Sequence, residues 1–260
     1  MAVQPIGKTQ KLPALVPGVK LNLWRRDDEH SMDHDREYAL VRQAVLERDR
    51  YTCQWCGFST VGDSKADPKS YRASGYLEVH HIDDNHSNND RKNLATICPF
   101  CHAVFHIGHT GHNRKAKIIY MPWMRQEDLN LLVNCLAVAT VRNEAKTFED
   151  AQEMFVWLQA YEGPAIEKFG EAVSDPALLA SALVGLLKKN PKAYRLRRRA
   201  LRDLRVLVYP EKYLSAVTWW AQHSFAPGKK WEDTWESMYA QWKSAHKKAK
   251  KEEKKKKNGS

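Results

Sequence analysis

The sequence has no long hydrophobic run, and this absence excludes several classes of protein. Its most apolar windows, LNLLVNCLAVA and PALLASALVGLL, are too short for a helix that spans a bilayer. The first residues, MAVQPIGKTQKLPALVPG, lack the apolar core of a secretory signal peptide. No internal repeat stands out. We therefore expect a cytoplasmic chain without a transmembrane segment, and 260 residues are enough for one large domain or two small ones.

Cysteine is scarce, and its spacing is informative. Of the five cysteines, four form the pairs Cys53-x-x-Cys56 and Cys98-x-x-Cys101, and Cys135 stands alone. In a reducing compartment two such pairs indicate a metal site more often than disulfides, and four buried free thiols are the weaker alternative. Four thiolates fill the tetrahedral coordination of one Zn²⁺ and leave no position open, so we predict a structural zinc.

The net charge is +11, but its distribution is uneven. Residues 247–257 contain eight lysines and two glutamates, and this composition predicts a solvated, disordered basic tail over 246–260. The rest of the chain is only mildly basic. That balance permits contact with nucleic acid or with an acidic protein, but it argues for neither.

The remaining patterns predict an α+β protein in four parts. Residues 1–33 contain several prolines and predict an extended arm. Residues 34–117 contain a helical pattern, both cysteine pairs and the strand candidate GYLEVHHI, and we expect a zinc-stapled domain there. Residues 118–245 predict a mostly helical domain, with a buried helix over 125–143 and further helices at 151–161, 175–189, 192–209, 213–222 and 231–245. Asp175-Pro176 is typical of a helix N-cap followed by proline at the first helical position.

Four histidines form the second candidate site. His80 and His81 are adjacent in the stretch YLEVHHIDDNHSNND, so on a strand they point to opposite faces and need different partners. His102 and His106 follow the second cysteine pair at a spacing that puts both on one face of a helix. The zinc has to bring the strand end close to that helix. Three of the four histidines can then converge on one further ion.

The segments RDRYTCQWCG, LEVHHI, Asn93 and ICPFCHAVFH, in this order, resemble the HNH nuclease family in its zinc-containing form. The resemblance implies a ββα-metal fold over residues 48–106. It implies that His80, His102 and His106 are ligands of a catalytic ion. It also implies that His81 is the general base and that Asn93 holds the loop that orients His81. Imidazole ligands favour Mn²⁺, Ni²⁺, Co²⁺ or Zn²⁺ over Mg²⁺, and DNA would be the substrate.

A second resemblance covers roughly residues 20–190. The segments RDRYTCQWCGF, IIYMPWMRQEDLNLL, FEDAQEMFVWL and EKFGEAVSDPALLASAL resemble the IcmJ/DotN family of type IVB secretion and conjugation systems. This resemblance implies assembly with a coupling ATPase and other coupling-complex proteins. It also implies a cytoplasmic location, or a peripheral one at the inner membrane through that complex.

An arginine-rich stretch follows at residues 192–209. Read as one helix, it has an apolar stripe through Leu196, Ala200, Leu204 and Leu207. The arginines on the remaining surface predict either a solvated face or a face that binds phosphate or an acidic partner; they are Arg195, Arg198, Arg199, Arg202 and Arg205.

Three functions therefore remain open. The complete histidine set and Asn93 favour a metal-dependent HNH endonuclease that nicks or cuts DNA. The long helical part favours a component of a coupling complex, in which the HNH unit is either active or a catalytically silent scaffold. A plain DNA-binding zinc module is the third reading. We expect a complex component with an intact nuclease site.

Overall fold

The computed structural model describes residues 12–19, 31–67, 70–85, 87–143, 145–223, 239–240 and 243–244. The chain divides into two compact units, Met1–Ser224 and Phe225–Ser260. All helices and strands named below lie in the first unit. The sequence boundary near residue 118 therefore falls inside one compact unit. The predicted helix at 231–245 and the basic tail lie almost entirely outside the described residues.

The described elements are helices and two small sheets, which confirms the α+β class. The helices are α1 Ser31–Arg48, α2 Pro99–Phe105, α3 Ile107–His112, α4 Gln126–Arg142, α5 Ala145–Gln159, α6 Glu162–Phe169, α7 Glu171–Ser174, α8 Pro176–Lys189, α9 Pro191–Arg195, α10 Arg197–Ala200 and α11 Leu214–His223. The strands are β1 Glu78–His81, β2 Leu94–Ile97, β3 Ala116–Tyr120 and β4 Leu204–Val208.

The first sheet carries the histidine pair. Strands β1 and β2 are antiparallel, with His80 opposite Ala95 and His81 opposite Leu94. Helix α2 follows β2 directly, and Cys98 caps its N-terminus by accepting a hydrogen bond from the Cys101 N–H. The order strand, strand, helix is the one that the HNH resemblance implies. The identity of this part as an HNH unit stays a prediction.

The second sheet corrects one expectation from the sequence. Residues 192–209 are not one helix: α9 and α10 end by Ala200, and β4 pairs antiparallel with β3, with Ile118 opposite Val206. The segment LRVLV is rich in β-branched residues and is buried throughout, so it fits a strand covered on both faces. The helical periodicity of its leucines misled the prediction.

Helix α4 is the central helix of the second half. It packs against α5 and α11, and its polar Gln126, Asn130 and Asn134 are buried together with its apolar residues. The side chain of Gln126 makes two hydrogen bonds with the backbone of Val206. It donates to the carbonyl at 2.9 Å and accepts from the N–H at 2.8 Å. These bonds join α4 to the middle of β4.

Helix α8 begins as the sequence predicts. The Asp175 carboxylate accepts hydrogen bonds from the N–H groups of Ala177 and Leu178, and Pro176 is the first helical residue. The start of α8 packs on α3 at Gly111, where an added Cβ would lie 2.2 Å from the Ala177 nitrogen. Only glycine allows this approach of the two backbones.

Residues 12–19 form an arm that crosses the surface of this unit. The Gly18 N–H donates to the Val104 carbonyl at 3.0 Å, and the Gly18 carbonyl accepts from the Ile107 N–H at 3.1 Å. Further along, the Val19 N–H donates to the Tyr194 hydroxyl at 3.0 Å. The arm thus joins α2 and α3 to α9.

Within the described part of the chain, no helix is both long and apolar enough to cross a membrane.

Candidate metal centres

The four paired cysteines lie together in the interior. Each offers a sulfur atom, and the sulfurs of Cys53, Cys56, Cys98 and Cys101 are all within 4.8 Å of one another. The Cys56 and Cys98 sulfurs are 3.7 Å apart. Four sulfurs arranged tetrahedrally at about 2.3 Å from a zinc ion are separated by about 3.8 Å. The cluster can therefore hold a structural metal such as zinc.

The electrostatics of the cluster also fit a cation. Burial raises the pKa of the Cys56 and Cys101 thiols well above the ordinary value, and an ionised Cys53 nearby raises both further. Burial likewise raises the pKa of the lone Cys135 to about 12. Several thiolates cannot share one buried site unless a positive ion compensates their charge.

Two asparagines of α4 contact this cluster. The Asn130 amide donates to the Cys101 sulfur at 3.2 Å, and the Asn134 amide approaches the Cys98 sulfur at 3.7 Å. Gln126 in turn donates to Oδ1 of the Asn130 side chain at 2.9 Å. These three residues, spaced four apart on one face of α4, form a buried polar ladder from β4 to the cysteines. Amide N–H groups that point at sulfur stabilise negative charge there.

Three of the four histidines form a second cluster. One ring nitrogen from each of His80, His102 and His106 lies within 4.8 Å of the other two. The Nε2 atoms of His102 and His106 are 3.0 Å apart. Two imidazoles that bind one ion at about 2.05 Å, at 90–110° to each other, have nitrogens about 2.9–3.3 Å apart. The arrangement can hold a divalent ion.

This second cluster is open where the cysteine cluster is closed. His80 is 2% exposed and stacks on Phe105, whereas His102 and His106 are half-buried. Three protein ligands and a side open to solvent are typical of a metal site that performs chemistry. Glu78 accepts a hydrogen bond from Nδ1 of His102, which leaves the Nε2 lone pair for a metal.

Glu78 is ionised in this position. Burial raises the pKa of its carboxyl, but the charge and hydrogen bond of His102 together with the charges of Arg42 and Lys115 outweigh burial, so that the pKa lies below its ordinary value. Glu78 was not among the residues predicted from the sequence, although its position two residues before His80 on the strand puts it on the same face of β1.

His81 lies on the opposite face from the cluster, as strand alternation requires. Its Nε2 is 2.9 Å from Oδ1 of the Asn89 side chain, and Tyr38 stacks on its ring. Because that oxygen only accepts hydrogen bonds, the neutral His81 ring carries its proton on Nε2. The side chain is 5% exposed.

Asn93 holds the loop between the two strands. Its amide donates to the Asp83 carboxylate at 2.8 Å and to the Asn88 carbonyl at 2.9 Å, and its oxygen accepts from the Asp83 N–H. Burial raises the Asp83 pKa, but the hydrogen bonds of this loop outweigh it, and the pKa lies below its ordinary value. Asn93 therefore fixes the loop, and Asn89 makes the direct contact with His81. Asn89 was not predicted from the sequence, although the asparagine-rich turn that follows His81 could have pointed to it.

The five predicted arginines do not form one face. Arg195, Arg198, Arg199 and Arg202 are exposed on or beside α9 and α10. Arg205 lies on β4, is 9% exposed and donates to backbone carbonyls, among them that of Met124. Its inclusion in the phosphate-binding set was wrong, because a strand residue covered on both sides cannot present its charge to a partner.

The chain resembles one characterised secretion protein along most of its length. It is 28% identical over 189 residues to the type 4 apparatus protein DotN of Legionella pneumophila subsp. pneumophila, and the match covers 72% of this chain and 80% of DotN. No protein-family model matches the chain. The similarity supports the DotN (IcmJ)-like family. The HNH resemblance rests on the motif residues and on where the fold brings them.

Proposed function

We propose that this chain is a component of a type IV secretion or conjugation apparatus and that it assembles with the coupling ATPase and its associated proteins. The match to DotN carries this proposal. Since 189 of 260 residues are matched, the aligned region has to include both the histidine cluster and helix α4, wherever it begins. The similarity therefore extends well beyond the two cysteine pairs, and this length supports the proposal.

A metal-dependent DNA endonuclease is the second candidate, and the open histidine cluster favours it. A divalent ion there would stabilise negative charge on a phosphate and on a leaving oxygen. His80, His102 and His106 would hold the ion. His81, with its proton fixed on Nε2, would accept a proton from water at Nδ1. The burial of His81 under Tyr38 limits the access of water, and for this reason we rank the assembly role first.

One genetic experiment separates the two candidates. The gene is deleted from its own host and replaced by the wild type or by a chain with His80→Ala, His102→Ala and His106→Ala. The measurements are substrate transfer through the apparatus and co-purification of tagged full-length protein with apparatus proteins. We expect deletion to abolish transfer and the wild type to restore it.

The triple variant then decides the role of the histidines. If it co-purifies with the apparatus and restores transfer, the chain acts through assembly alone. If it co-purifies but transfer stays absent, the histidine cluster performs a required reaction. Normal transfer in the deletion strain, with no apparatus protein bound to the wild type, would contradict the proposed function.

A further inference from the structure

The end of α8 and the two short helices after it carry a concentration of positive charge. Residues 188–202 contain eight arginines and lysines and no acidic residue. Seven of these cations are exposed; they are Lys188, Lys189, Lys192, Arg195, Arg198, Arg199 and Arg202. We call this surface the basic turn. Like charges at this density repel one another, so binding of an external polyanion would relieve the repulsion.

Little within the described residues neutralises the basic turn. Arg202 has a carboxylate nearby, that of Asp203 at 3.5 Å, and no described carboxylate lies within 4.0 Å of Arg195, Arg198 or Arg199. Arg197 is the exception among the eight. Its guanidinium stacks on the Tyr194 ring at 4.0 Å and donates to the Pro17 carbonyl of the arm. Arg197 anchors the turn, and the others face solvent.

Arg197, which anchors the basic turn, lies near the end of α2, the helix that carries His102. Gly18 of the arm sits between them: a Cβ on Gly18 would lie 3.2 Å from the Phe105 carbonyl oxygen and 3.7 Å from Nη2 of Arg197. Phe105 immediately precedes His106.

We propose that the basic turn binds the phosphodiester backbone of nucleic acid. Arginine guanidinium groups match phosphate oxygens with a planar pair of donors. A bilayer fits less well, because α9 and α10 have five and four residues and Leu196 is the one large, well-exposed apolar side chain there. The inference goes beyond the assembly role, and it does not require the histidine cluster to be active.

Fluorescence anisotropy with full-length protein and a short labelled duplex DNA tests the proposal over a range of KCl concentrations. The test variant is Arg195→Gln, Arg198→Gln and Arg199→Gln together. The matched control is Lys254→Gln, Lys255→Gln and Lys256→Gln, which lowers the net charge equally in the tail. Replacing the same three arginines by lysine keeps the charge, and circular dichroism verifies that each variant is folded.

We expect the arginine-to-glutamine variant to weaken binding by about tenfold to several hundredfold near 0.1 M salt and to reduce the slope of log K against log salt by about 2–3. The lysine version should recover most of the binding, and the tail variant should lose much less. The histidine triple variant should bind as the wild type does, so failure of the nuclease hypothesis leaves this test intact.

Two results would overturn the proposal. One is an equal loss of affinity in the arginine and tail variants, which would mean that net charge alone attracts DNA. The other is a wild type that leaves DNA free but binds vesicles of anionic phospholipid, or an acidic peptide, through the same three arginines.

Discussion

Among single residues, Glu78 has the most specific role. Its carboxylate accepts a hydrogen bond from the Nδ1–H of His102 and so fixes which nitrogen of that ring faces His80 and His106. A carboxylate behind a metal-binding histidine also makes the histidine a stronger ligand. The histidine cluster therefore has a supporting residue, Glu78, that is not among the residues implied by the HNH resemblance.

We predict that Glu78→Gln weakens metal binding at the histidine cluster by about 10–100-fold without abolishing it. The glutamine keeps the shape of the side chain but removes the charge that holds the imidazole. Calorimetric titration with Mn²⁺ or Ni²⁺ measures the effect. Asp84→Asn is the control, because Asp84 is exposed and its carboxylate is 4.0 Å from His80. If both variants bind metal equally well, Glu78 has no such role.

At the scale of elements, helix α4 connects the two halves of the unit. Its polar ladder Gln126, Asn130 and Asn134 runs from the backbone of β4 to the sulfurs of Cys101 and Cys98. Burying three amides on one helix face is costly unless each makes hydrogen bonds. The ladder is explained if two of them stabilise thiolate charge around a metal.

We predict that Asn130→Leu leaves the chain folded but speeds the release of zinc to a chelator by about tenfold or more, because a hydrogen bond to a charged group contributes about 1.5–3 kcal/mol. In the cobalt-substituted protein, the sulfur-to-metal absorption bands should shift. Gln126→Leu is the comparison: it touches no sulfur but removes the hydrogen bond to the Asn130 side chain, so its cobalt spectrum should shift less than that of Asn130→Leu. An unchanged spectrum and release rate for Asn130→Leu would contradict the prediction.

The helices and strands also show which features of the fold could be predicted from the sequence. The N-cap at Asp175 was predictable because its hydrogen bonds are local to α8. Strand β4 was not, because its leucines and valines fit a helical period as well, and only pairing with β3, more than eighty residues earlier, decides between the two. Asn130 and Asn134 looked like ordinary helix residues. Their contact with the cysteines depends on tertiary packing.

For the whole molecule, the cysteine cluster is the main junction. It joins the segment after α1, the end of β2, the start of α2 and, through the asparagines, α4. Segments that are distant in sequence thus depend on one site. Loss of a metal there should lower the stability of the whole first unit, Met1–Ser224, and not only that of residues 34–117.

We predict about one tightly bound zinc in wild-type protein and its loss in Cys56→Ser, together with a large drop in thermal stability, because metal binding is coupled to folding. Cys135→Ser is the matched control. Cys135 is also buried, but it is outside the cluster and burial keeps it protonated. It should retain the zinc. Elemental analysis and thermal unfolding measure both effects, and a folded, zinc-free wild type would refute the prediction.

The arm of residues 12–19 has a consequence for synthesis on the ribosome. Val19 bonds Tyr194, which is 175 positions later in the chain. At about 5–20 residues per second, translation takes about 9–35 s to produce that partner after the arm has been made. Until then the nascent arm can reach only part of its final binding surface. Translation therefore sets the earliest time at which the arm can bond Tyr194.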